Sequence, residues 1–154
     1  MDEQPQWLTP VEQDAWRSVI RMYERLGARL ARCLQSESCL SGADYAVLVK
    51  LTGVPDGRMR HVELARSLEW EKSRMSHQIS RMAKRGLVVR EECPEDGRGA
   101  FVVITEAGRE VIAEAAPRHA NAVRRLFIDP LTPGELGTLA CPADRIVEHM
   151  EKQS

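Results

Sequence analysis

After Thr9-Pro10, apolar residues recur at Trp16, Val19, Ile20, Tyr23, Leu26, Leu30 and Leu34. Steps of three and four keep them on one stripe of a 3.6-residue helix. They predict a long amphipathic helix ending near Gln35, preceded by an arm over residues 1–9. Such a helix either packs on the chain's own core or extends into a partner subunit. Tyr45, Leu48, Val49 and Leu51 predict a second helix, started by Ser41 or Gly42 and stopped in the turn-rich TGVPDGR. A third, from about Arg60 to Leu68, carries Val62, Leu64, Ala65 and Leu68. LEWEK then makes a tight connection into EKSRMSHQISRMAKRG, residues 71–86. There Met75, Ile79 and Met82 fall on one face, and Gly86 stands where a left-handed residue would close the helix.

The period then shortens towards two. Leu87–Glu92 and Ala100–Thr105 predict two strands of a projecting hairpin, joined by Cys93–Gly99 with its proline, aspartate and glycines. Thr105 caps a helix from Glu106 onward, with Val111, Ile112, Ala115, Val123, Leu126 and Phe127 apolar and Pro117 expected to bend or briefly break it. Thr132-Pro133-Gly134-Glu135 combines a cap, a proline at the first helical position and a glutamate at the third, which starts a last helix. Cys141-Pro142 is expected to interrupt that helix before Ala143–Glu151. The fold class is therefore mainly α with a small β hairpin: a winged helix-turn-helix over 41–105, and a helical region over 10–40 and 106–154.

Charge changes the picture more than composition does. The 154 residues, 43% hydrophobic and 29% charged, suit one globular core. The net charge of -1 is neutral about partners, but its distribution is not. From Lys72 to Arg90 stand six basic residues (Lys72, Arg74, Arg81, Lys84, Arg85, Arg90) and no acidic one, which leaves -7 for the remainder. Segregation of this kind focuses a positive field on one patch.

A helix fits the major groove of duplex DNA, and its first half ordinarily meets the base edges. Ser73, Arg74, Ser76, His77 and Gln78 are the candidate base contacts. Arg74 can present a bidentate fork to guanine, and Gln78 can pair with adenine. Arg81, Lys84 and Arg85 lie further along and suit phosphates, which position a protein without specifying sequence. In the hairpin, Arg98 suits the minor groove or its phosphates, with Asp96 bonding within the turn to hold it. Against each stands an ordinary reading: a basic outer face is often only solvated, His77 can be a surface histidine, and Trp70 can be a packing wedge. The order of helix and hairpin favours DNA.

Residues 62–108, VELARSLEWEKSRMSHQISRMAKRGLVVREECPEDGRGAFVVITEAG, closely resemble the MarR family of bacterial transcriptional regulators. The match lies in the order of recognition helix, RGLV, a hairpin with Asp and Arg at its tip, and a strand running into ITEAG. It extends more loosely from about residue 12 to about 151. The resemblance implies homodimers in which the first and last two helices, here about 12–35, 106–128 and 133–151, interleave. It further implies two winged domains on successive major grooves of a pseudo-palindromic operator, repression of transcription, and release by a phenolic or other small aromatic ligand. Some family members use cysteine oxidation instead. The family's organic-peroxide sensors place their reactive cysteine near the start of the first long helix, whereas Cys33 lies at its end and Cys39 beyond it.

The expected function is a homodimeric, sequence-specific DNA-binding regulator, a repressor released by a small ligand, cytoplasmic and associated with the bacterial nucleoid. The alternative is a winged-helix module whose basic face meets an acidic protein. An enzyme is disfavoured, since no nucleophile–base–orienter set or phosphate-cradling glycine loop stands out. His61, Glu63, His119 and His149 form no ligand cluster in sequence, and Cys33, Cys39, Cys93 and Cys141 have no zinc spacing, so neither metal nor cofactor is expected. No signal or membrane-spanning run is read at MDEQPQWLTP or elsewhere.

Overall fold

A computed structural model describes residues 5–92 and 99–154. In chain order it shows α1 (Pro10–Ser38), α2 (Gly42–Thr52), β1 (Arg58–Arg60), α3 (His61–Ser67), α4 (Lys72–Lys84), β2 (Val88–Glu92), β3 (Ala100–Ile104), α5 (Glu106–Val123) and α6 (Pro133–Glu151). The fold is mainly helical with a small antiparallel sheet, as the periodicities predict. Two compact units form: Arg29–His119, and the described residues up to Ala28 together with Ala120–Ser154. The winged unit thus takes in the last turns of α1 and most of α5 as well as 41–105.

Each boundary of the winged unit has a local cause. Ser41 and Asp44 form a reciprocal capping box on α2: the Asp44 N–H donates to the Ser41 hydroxyl (3.0 Å), and the Ser41 N–H donates to the Asp44 carboxylate (2.9 Å). Gly86 closes α4 at φ 75°, donating to the Ala83 carbonyl while Leu87 donates to that of Met82, both at 3.0 Å. Glu69 does the same for α3 at φ 53°, with Trp70 donating to Ala65 at 2.9 Å. This makes the tight turn between α3 and α4. Leu48, Leu51, Leu64, Met75, Ile79, Met82, Val88 and Val102 are fully buried in one core beneath the sheet and the helix pair.

The sheet has the order β1-β3-β2. Val88 faces Ile104 and Glu92 faces Ala100 across β2 and β3, while Arg58 faces Val103 across β1 and β3. Strand β1 lies in the stretch expected to be a turn followed by α3. At three residues, Arg-Met-Arg, it is too short for its alternation to announce a strand. The connector 93–98, with the expected wing residues Asp96 and Arg98, lies outside the described residues.

The interruption expected at Pro142 is corrected, and at Pro117, where a bend or short break was expected, there is no break. Neither Pro117 nor Pro142 ends its helix; α5 and α6 run through them. Each proline deprives one carbonyl, of Ala113 or Thr138, of its helical donor. Both residues are exposed, so solvent can satisfy the freed carbonyl and the remaining bonds carry the helix. Beyond α5 the chain makes one wide turn, in which Asp129 donates to the Arg124 carbonyl five residues back (2.8 Å). The Thr132–Glu135 capping box that starts α6 is present.

Candidate nucleic-acid interface

Helix α4 is held by its apolar stripe and presents the opposite side to solvent. Met75, Ile79 and Met82 are fully buried. Ser73, Arg74, His77, Arg81 and Lys84 are exposed, and Ser76 is half-buried. The Arg74 guanidinium stacks on the ring of Trp70, which itself packs against the core. No acidic residue occupies the first turn of α4, so its positive end is left uncompensated by the helix itself.

Gln78, expected to meet a base edge, is turned towards the protein. Gln78 is 2% exposed and points inward. Its Nε2 donates to Asp44 Oδ1 at 2.6 Å, and its Oε1 accepts from Arg81 at 2.8 Å. The sequence held the signal: Gln78 is three residues after Met75 and four before Met82, on the same stripe. Arg85 is drawn onto the protein as well. It donates to Asp44 Oδ2 at 2.6 Å and to the Cys39 carbonyl at 2.7 Å. Burial raises the Asp44 carboxyl pKa, but the bonds from the Ser41 backbone and Arg85 outweigh it, and the net shift is downward. Asp44 is therefore an anion throughout the neutral range.

Two basic residues without an assigned role join the candidate face. Lys72, Ser76, Arg90 and His61 line an open recess of about 580 Å³ beside Gly99 and Ala100, where α3, the start of α4 and the strand pair meet. Arg90 Nη2 donates to the Ser76 carbonyl at 2.9 Å, tying β2 to α4. His61 Nε2 lies 3.4 Å from the Ser76 hydroxyl. Burial lowers the His61 pKa, and the charges of Arg90 and Lys72 lower it further, so the ring is neutral at pH 7. At the edge strand, Arg58 and Arg60 stack on Phe101, with ring-centroid distances of 4.4 and 5.1 Å, and Arg58 pairs with Glu91 at 3.1 Å.

Among the described residues, no three His, Cys, Asp or Glu side chains gather as a metal site, and no helix is long and apolar enough to cross a membrane. Cys33, Cys39 and Cys141 carry no disulfide.

A short helix, a tight turn, a second helix with a basic outer face and an antiparallel strand pair define a winged helix-turn-helix protein. The chain belongs to the MarR family of transcriptional regulators, whose sequence profile matches residues 40–99. The structure superposes with a TM-score of 0.89 on Sco3205, a MarR family transcriptional regulator from Streptomyces coelicolor solved in complex with DNA. The two are 39% identical over 96% of this chain and 92% of that one. AbsC, another MarR family regulator from Streptomyces coelicolor, is 42% identical over 96% of this chain and 99% of its own, also with a TM-score of 0.89. The transcriptional regulator HosA of Escherichia coli O111:H- is 33% identical over 78 residues. That match spans 51% of this chain and only 56% of HosA, little more than half of that curated relative. The family is one of transcriptional regulators and not of enzymes.

Proposed function

We propose that this chain is a homodimeric, sequence-specific repressor that binds a pseudo-palindromic operator in duplex DNA. The observation that carries the reading is the disposition of α4: Met75, Ile79 and Met82 buried, with Ser73, Arg74, His77, Arg81 and Lys84 outward beside the strand pair. Sco3205, alike over nearly its whole length, was crystallised with DNA. Ser73, Arg74, Ser76 and His77 read bases in the major groove, while Arg81 and Lys84 hold phosphates. Arg98 serves the minor groove or its phosphates, with Asp96 holding it from within the turn, a reading supported by their place in the chain alone. Release by a small aromatic ligand, and action in the cytoplasm at the nucleoid, belong to the same proposal and are supported by family membership.

Fluorescence anisotropy on duplexes recovered by genomic selection, and on the gene's own upstream region, tests it at several salt concentrations. A preferred duplex with two related half-sites is expected. Equal binding to every duplex at every salt concentration would overturn the proposal.

A further inference from the structure

We infer that Asp44 is a positioning residue for DNA reading: it fixes the rotation of α4 and withdraws Gln78 and Arg85 from the DNA contact set. The inference rests on the repressor reading above. Asp44 is 4% exposed and sits in the first turn of α2. One carboxylate oxygen accepts from Gln78, within α4, and the other from Arg85, just past its end, both at 2.6 Å. Seven residues separate those partners, about 10 Å along a helix axis. Both side chains nonetheless converge on one carboxylate, from the same face of the helix, and the two directional bonds oppose a roll of α4. The apolar contacts beneath it seat α4 on the core but are themselves non-directional. Arg81 is drawn in indirectly, since it donates to the oxygen of the Gln78 amide that Asp44 holds.

The arrangement also has an electrostatic consequence. A buried carboxylate needs a cation, and Arg85 supplies it. While that pair stands, Arg85 adds no net charge to the face that meets phosphate. Neutralising Asp44 releases Arg85 to solvent and frees α4 to roll. Specific reading should weaken while general attraction to DNA does not.

Full-length protein is compared on its selected operator and on a scrambled duplex of the same length, by anisotropy across a salt series. In Asp44→Asn the operator-to-scrambled affinity ratio should fall at least about tenfold. Affinity for the scrambled duplex should hold or rise, and the log K against log salt slope should steepen by about one unit. Arg85→Gln should leave that slope unchanged when Asp44 is present and reduce it by about one unit in the Asp44→Asn background. Arg85→Gln leaves the carboxylate only the Ser41 N–H and the Gln78 amide, so circular dichroism checks the folding of each variant, and Arg85→Gln carries the test if Asp44→Asn does not fold. An equal loss of affinity for both duplexes in Asp44→Asn would show a general structural role and overturn the inference. So would an unchanged ratio, or a slope reduced by Arg85→Gln with Asp44 intact. If the unaltered protein prefers no duplex, the repressor proposal fails and takes this inference with it; if it does prefer one, the variants alone decide.

Discussion

The Arg74 guanidinium carbon lies 4.2 Å from the centroid of the Trp70 ring. An arginine over an indole face gains about 0.5–1 kcal/mol at an exposed site and loses freedom in its long side chain. Trp70 is half-buried against the core, so the platform under Arg74 is fixed by the same packing that fixes α4.

Arg74→Ala should therefore relax base preference at one operator position, by about 1–3 kcal/mol of discrimination if the fork is bidentate to guanine. Lys84→Ala should instead weaken duplexes of different sequence alike and reduce the salt slope by about one unit. Binding measured against a panel of single-base operator variants separates the two. Uniform weakening by Arg74→Ala would reassign that residue to the DNA backbone.

The start of α5 is docked on the closing turn of α4. The Thr105 hydroxyl donates to the Gly86 carbonyl (2.5 Å) and accepts from the Gly108 N–H (3.0 Å), while the Thr105 N–H donates to the Leu87 carbonyl (3.1 Å). A β-carbon at Gly108 would collide with the Leu87 carbonyl oxygen and stand 2.8 Å from Cγ1 of Ile104. In an ordinary helix position, alanine for glycine stabilises by about 1 kcal/mol. Here backbone must move, and Gly108→Ala should instead cost about 1–3 kcal/mol. Thermal unfolding gives the sign directly, at about 2–4 °C of Tm per kcal/mol for a chain of this size.

How far such features are legible in sequence depends on whether their cause is local. The stripe of Met75, Ile79 and Met82, the glycine stop at Gly86 and the Thr132–Glu135 box are written within a turn or two of helix, and all three are present. Gln78 was legible too, but its polar chemistry argued against the spacing that placed it on the buried stripe. What made that burial tolerable was not local: Asp44 lies 34 residues away from Gln78 and 41 from Arg85. Strand β1 is equally non-local, since it exists only because β3 offers it an edge. The prolines at 117 and 142 end neither helix, because a break requires more than one missing donor and exposed carbonyls tolerate the loss.

Stability should depend on pH through His61 and His119. Burial lowers both pKa values from the ordinary 6.5, aided at His61 by Arg90 and Lys72. His119 packs its ring on Tyr45 at 4.4 Å. Below pH 6.5 the unfolded chain takes up protons at these positions that the folded chain refuses, so stability rises with pH there. It should be full above the unfolded value and decline as pH falls from there towards the lowered folded values. Urea midpoints at about pH 7.5 and 5.5 should show the loss, and His119→Gln, which cannot charge, should lose less. A midpoint that rises on acidification would contradict burial as the cause.

Helix α6 has 19 residues and buries none of them. Ile146 and Met150, four apart and so on one face, are 60% and 55% exposed; on α1, Trp16 and Tyr23 are 57% and 74% exposed. Single apolar residues at a surface need no explanation, but a long helix without any buried side chain does. The proposed homodimer supplies one, because a second copy can cover these faces. Light scattering on the purified protein should give twice the chain mass. The pair Ile146→Asp and Met150→Lys should yield monomers that retain the winged unit by circular dichroism. Operator affinity should then fall by about a hundredfold or more, because the second half-site is no longer bound as an intramolecular event. A dimer that survives both substitutions would place the subunit interface elsewhere, and a monomeric parent protein would remove the two-fold basis for a pseudo-palindromic operator.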